Sequence, residues 1–149
     1  MEQVAIGMGV TMTCILASGL GFWIAEVLFT RRRSWLRQPP HSLKLLAVVI
    51  GAGALVLGVV LAGVAVWAAT FVWFRVFSTF EEAFYFALVS YTTVGYGELL
   101  PPGEWRMLGA MAAANGFINI GLLTTLLIEG LGHVRAGYRH SVYGDDPSD

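Results

Sequence analysis

Three apolar runs separated by short polar stretches organise the chain: Val4 to Phe29, Leu43 to about Phe74, and Met107 to Leu131. Each exceeds the roughly 20 residues a helix needs to cross a hydrocarbon core, so each predicts a membrane-spanning helix. The second is over-long and must tilt or emerge from the bilayer. Between the second and third lies a shorter apolar run, Phe80 to Tyr91. As a helix it is about 18 Å long, too short to span, and it suits a re-entrant segment. Ser78 with Glu81, and Thr79 with Glu82, both have the spacing of a capping box, so a helix starts here. It descends toward mid-membrane and must end before Gly95. Its dipole then points its negative end inward, where it favours a cation.

The stretch after it, Thr92-Thr93-Val94-Gly95-Tyr96-Gly97-Glu98, is polar and glycine-rich in an otherwise apolar chain. Non-helical backbone at membrane depth must be buried in protein or line a water-filled path, because each unsatisfied N–H or C=O costs several kcal/mol. Two glycines alternating with other residues allow successive carbonyls to face one axis, since glycine tolerates positive φ. One strand offers too few oxygens per level to replace the water shell of a cation. Several copies around an axis are required, and cyclic symmetry is the simple solution.

Composition fits an integral membrane protein: 149 residues, 56% hydrophobic, 13% charged, mean hydropathy +0.69. A soluble domain carries about 25% charged residues. A net charge of −1 gives no sign of nucleic-acid binding. The lone cysteine, Cys14, excludes an intrachain disulfide and lends no support to redox chemistry. His41, His133 and His140 form no metal-ligand grouping with it, and no nucleophile and base set is apparent, so neither an enzyme nor a cofactor is expected. The first residues, Met1-Glu2-Gln3, lack the basic start of a signal peptide, and the run that follows is too long for one, which reads as a retained span.

Of the nine Lys and Arg residues, Arg31, Arg32, Arg33, Arg37 and Lys44 crowd the first connection, and Arg135 and Arg139 follow the last span. The positive-inside rule makes that side cytoplasmic and the N-terminus external. Arg31 to Arg33 are contiguous in a loop, unlike the spaced arginines of a voltage sensor. The outer side carries Glu2, Glu81, Glu82, Glu98 and Glu104 against Arg75 and Arg106. These glutamates either raise the local cation concentration or are ordinary solvated surface. Trp73 and Trp105 fall at the outer interface and Trp35 at the inner one, as amphipathic rings do. Glu26 and Glu129, near the inner ends of two spans, either pair with the neighbouring arginines or act as functional carboxylates, and Glu129 with His133 is a candidate pH sensor.

The segment Phe84 to Glu98 resembles the pore helix and selectivity filter of tetrameric potassium channels, with Thr93-Val94-Gly95-Tyr96-Gly97 as the filter motif. The resemblance covers roughly Leu43 to Gly132. It implies an all-α membrane protein, a homotetramer in the plasma membrane, with an outer helix at 43–75, a pore helix at 79–91, a filter at 92–98 and an inner helix at 104–132. Residues 1–30 are then an extra N-terminal span packed outside the outer helix, with small residues at Ser18, Gly19 and Gly21. Residues 31–42 are a basic cytoplasmic loop, and 133–149 a short cytoplasmic tail, disordered at its end.

By the same resemblance the carbonyls of Thr93, Val94, Gly95 and Tyr96, with the Thr93 hydroxyl and Gly97, hold potassium, while Tyr96 points away from the ions. Thr92, Glu98, Tyr85, Phe86 and Val89 support the filter. Glu98 stands where the family usually has aspartate, and Tyr85 and Phe86 where many relatives carry two tryptophans. Phe86 has no donor to offer. Gly116 and Gly121 are expected hinge points of the inner helix. Ile120, Thr124 and Ile128 form an expected cavity-facing stripe, and Asn115 and Asn119 either border that cavity or hydrogen-bond between helices. The implied function is passive, potassium-selective conduction. A non-conducting subunit that assembles with channels, or a potassium transporter subunit, are the alternatives.

Overall fold

The computed structural model describes residues 2–31 and 41–143, with side chains placed at 2–24, 27, 46, 49–125 and 128. Helix α1 spans Glu2–Arg31, α2 His41–Trp73, α3 Phe80–Tyr91 and α4 Arg106–Tyr143, with a 3-10 turn at Gly103–Trp105 leading into α4. Among the described residues, three stretches are long and apolar enough to cross a membrane: Glu2–Ile24, Val49–Trp73 and Gly103–Thr125. The protein is thus an all-α membrane protein. Helix α2 has 33 residues, about 50 Å at 1.5 Å per residue, so it extends well beyond a hydrocarbon core of about 30 Å. Helix α4 runs on to Tyr143, past Gly132 where the apolar pattern stops.

Local chemistry sets the bounds of α3. Thr79 is its N-cap, in extended backbone, and its hydroxyl accepts from the Glu82 amide at 3.2 Å. The Glu82 carboxylate accepts in return from the Ser78 amide at 3.3 Å, so Thr79 and not Ser78 is the capping residue. The chain reaches α3 through a tight stop to α2: Arg75 adopts φ +55°, and the Val76 amide donates back to the Phe71 carbonyl at 2.8 Å.

An aromatic cluster holds α3 against its neighbours. Phe86 packs edge-on to Phe71 of α2 with centroids 5.4 Å apart, and on Phe77 at 5.1 Å, while Trp67 lies 5.7 Å from Phe71. All four rings are buried. On the other side Phe86 meets Gly109 of α4, where an added Cβ would lie 3.0 Å from its Cζ. Phe86, expected as a support of the filter, thus packs in the core and also lines a cavity against residues 95–100.

The first helix does not pack outside α2. It lies chiefly along α4, running parallel to it, with a lesser contact on α2. Gly7 brings α1 onto the Met111 side chain, Cys14 faces Asn115, and near the start Gln3 donates to the Glu104 carbonyl. The contact with α2 comes lower down, where Gly21 sits against Val59. Small residues thus do set the seam, but Gly19 takes no part and is exposed. Trp35, Arg32, Arg33 and Arg37 lie outside the described residues, as do the side chains of Glu26, Arg31, Lys44, Glu129, His133, Arg135 and Arg139, and with them the expected pairings and pH sensor; residues 144–149 lie outside them too.

Candidate functional site

The last turn of α3 hands directly into the 92–98 loop through backbone hydrogen bonds. The Thr92 amide and hydroxyl both donate to the Leu88 carbonyl, at 3.0 and 2.7 Å, and the Thr93 amide donates to Ser90 at 3.0 Å. The Val94 and Gly95 amides converge on the Val89 carbonyl at 3.0 and 3.2 Å. Val89 thus supports the loop with its backbone. These bonds satisfy the carbonyls that a helix C-terminus leaves orphaned.

Beyond that point the backbone alternates in handedness. Thr93, Gly95 and Gly97 have φ of +60°, +60° and +83°, while Val94 and Tyr96 do not take positive φ. Alternation of this kind turns successive carbonyls toward one side of the strand, an arrangement open to glycine at no steric penalty. Thr93 is β-branched and lacks that freedom, so its left-handed conformation stores strain of order 1–3 kcal/mol. Among the described residues only Arg75 shares this non-glycine conformation. Residues 93 to 98 are exposed in the single chain, with Val94 at 53% and Tyr96 at 69%.

Behind the loop lies a cavity of about 110 Å³ whose lining includes Tyr85, Val89, Tyr96, Glu98 and Leu100. At its rim the Tyr85 hydroxyl donates to Glu98 Oε2 at 2.7 Å, joining α3 to the end of the loop. That hydrogen bond is the main cause raising the Tyr85 phenol above its ordinary value of 10.0, with desolvation and the Glu98 charge adding to it. Phe86 offers no such donor, and the hydrogen bond from α3 to the end of the loop comes from Tyr85.

The α4 candidates divide. Asn115 and Asn119 are both 0% exposed within the single chain, which favours the second of their two expected roles, contact between helices, over lining a cavity. Asn119 Nδ2 donates to the Tyr91 hydroxyl at 2.6 Å, while both side-chain polar atoms of Asn115 lack a hydrogen-bond partner although Cys14 faces it. Each points into the bundle because it lies on the face of α4 that meets α1 and α3. Ile120 is half-buried, whereas Thr124 and Ile128 are exposed. Gly116 is buried with Tyr91 backbone pressed on it, and a Cβ there would overlap the Tyr91 carbonyl. Gly121 has open space around it.

Tyr91 was not among the residues singled out by the sequence. It ends α3, is 0% exposed, and its hydroxyl reaches Gly63 of α2 as well as Asn119, so that a Cβ on Gly63 would lie 2.5 Å from it. The available signal was chemical: a phenol and two amides within apolar runs need partners at membrane depth.

A family model described as an ion channel matches residues 44–132. The match runs from the start of α2 through α3 and the 92–98 loop into α4. No curated protein and no solved structure matches the chain.

Proposed function

Because the chain belongs to the ion-channel family whose model spans residues 44–132, we propose that it conducts potassium selectively and passively, with Thr93 to Gly97 as the selectivity filter of a homotetramer. The single observation that carries this reading is the alternation of positive φ at Thr93, Gly95 and Gly97, which supports a ladder of carbonyls directed at one axis. Potassium sheds its water into four such ladders and moves in single file, each ion displacing the next. Tyr96 lines the cavity behind the loop, which supports its side chain as a brace while its carbonyl serves as a ligand. Thr124 and Ile128, exposed on α4 below the loop, are the candidates for the water-filled vestibule. The helix ends bearing the arginine clusters are cytoplasmic, the filter opens to the outside, and the membrane is the plasma membrane. No cofactor or nucleic acid is involved.

The test is flux from liposomes containing the purified protein, potassium against sodium, with Gly95→Ala as control. Potassium flux well above sodium flux, lost in Gly95→Ala, is the expected result, because Gly95 holds φ +60° and alanine strains there. Equal sodium flux removes the selectivity. Absence of any flux favours a non-conducting subunit.

A further inference from the structure

The geometry points to Tyr91 as the positioning residue that fixes the inner end of the filter, by pinning the last turn of α3 to both α2 and α4 at one place. The inference rests on the potassium reading above. It begins from the loop's attachment: every amide from Thr92 to Gly95 donates to a carbonyl of Leu88, Val89 or Ser90. The first ion-facing carbonyls can therefore be no better placed than the last turn of α3 is.

That turn is fixed by Tyr91 in three directions. Its hydroxyl accepts from Asn119 Nδ2 at 2.6 Å, the only side-chain hydrogen bond described between α3 and α4. The same hydroxyl is wedged on Gly63, where any larger residue would displace it. Its backbone carbonyl rests on Gly116, three residues from Asn119 and so on the same face of α4. The side chain is wholly buried, in the same cluster as Cys14 of α1 and Trp67 of α2. A site that must discriminate between ions needs its ligands held to within about 0.5 Å. A buried, directional contact two residues before Thr93 restrains them in a way that apolar packing, which tolerates sliding, does not.

Positioning differs from mere stability in its readout, ion selectivity against the amount of assembled protein. Potassium and sodium flux would be measured in liposomes for the wild type, Tyr91→Phe, Asn119→Leu and the double variant, alongside thermal dissociation of the assembly. Loss of one buried hydrogen bond should lower the potassium-to-sodium permeability ratio about threefold to tenfold in each single variant. The double variant should fall no further, since both changes remove one contact. Asn119→Asp keeps the shape and can accept from the Tyr91 hydroxyl, so it should retain the wild-type ratio. Should Tyr91→Phe fail to assemble, Asn119→Leu and Asn119→Asp carry the comparison. A ratio unchanged in Asn119→Leu, with only less assembled protein, would overturn the inference. A wild type that passes both ions equally would instead overturn the potassium reading, and this inference with it.

Discussion

Tyr85 and Glu98 are joined by a 2.7 Å hydrogen bond at the rim of the cavity behind the 92–98 loop, a phenol on α3 donating to the carboxylate just past Gly97. Many of the resembling channels carry a tryptophan and usually an aspartate at these two positions, and here a phenol and a glutamate make one contact that ties α3 to the end of the 92–98 loop. Tyr85→Phe should therefore shorten the time the filter stays conducting, read as faster decay of potassium current during sustained opening in planar bilayers. Glu98→Asp should do the same. Tyr85→Trp with Glu98→Asp, which supplies the donor and acceptor of the resembling channels, should restore slow decay, and additive worsening in that double variant would show that the two pairs are not interchangeable.

The same bond predicts a pH window. Its folded-state value being raised above the ordinary 10.0, the Tyr85 phenol contributes fully below pH 10 and loses that contribution as pH rises through the higher folded value. Current decay on the filter side should therefore be insensitive to alkalinisation from neutral up to about pH 10 and accelerate beyond it. Tyr85→Phe should abolish that alkaline acceleration. An unchanged alkaline response in the variant would assign it to another group.

Much of this architecture was legible because it is decided locally. Apolar run length gave three spans, and the two overlapping capping boxes of Ser78 and Thr79 gave the start of α3 to within one residue, since a cap is a contact between neighbours in sequence. The placement of α1 was not legible. That helix is apolar on every side, so no face advertised whether α2 or α4 was its partner, and the choice rests on Gly7 fitting Met111. Tyr91 and Asn119 lie 28 residues apart on different helices, and nothing local pairs them. The asparagine spacing revealed one shared face but not that the face turned inward.

The seating of α1 leads to a stability prediction. At Gly7 an added side chain runs into the Met111 thioether, whereas Gly9 has nothing within 4 Å. Methionine is flexible, so alanine at position 7 should be absorbed, but Gly7→Leu should force the helices apart and destabilise by about 1–3 kcal/mol. Gly9→Leu should be neutral. Thermal unfolding in detergent distinguishes them, and equal melting of the two leucine variants would remove α4 as the seat of α1.

The two asparagines of α4 should respond oppositely to the same change. Asn119→Leu removes the partner of the Tyr91 hydroxyl and leaves that oxygen buried alone, a loss of about 1–3 kcal/mol. Asn115 has only its contact with the weakly donating Cys14 thiol to lose, its polar atoms otherwise being buried without a partner. Asn115→Leu, of similar size, should therefore be neutral or stabilise the protein by about 1 kcal/mol. Thermal melting measured for both variants checks this, and a large loss in Asn115→Leu would mean that its amide is bonded in the assembled protein.

Gly116 and Gly121 separate close packing from bending. Both were expected as hinges, but Gly116 is pressed by a backbone carbonyl, that of Tyr91, which cannot rotate aside as a side chain would. Gly116→Ala must move α4 away from the start of the 92–98 loop, so it should destabilise by about 1–3 kcal/mol and, on the potassium reading, reduce flux even where the protein still assembles. At Gly121 the added methyl meets nothing within 4 Å, and alanine favours the helix by about 1 kcal/mol. Gly121→Ala should therefore melt at or above the wild-type temperature. If it also conducts normally, α4 does not need to bend there. If it assembles but conducts poorly, Gly121 is the hinge and Gly116 the fixed point about which the lower part of α4 swings.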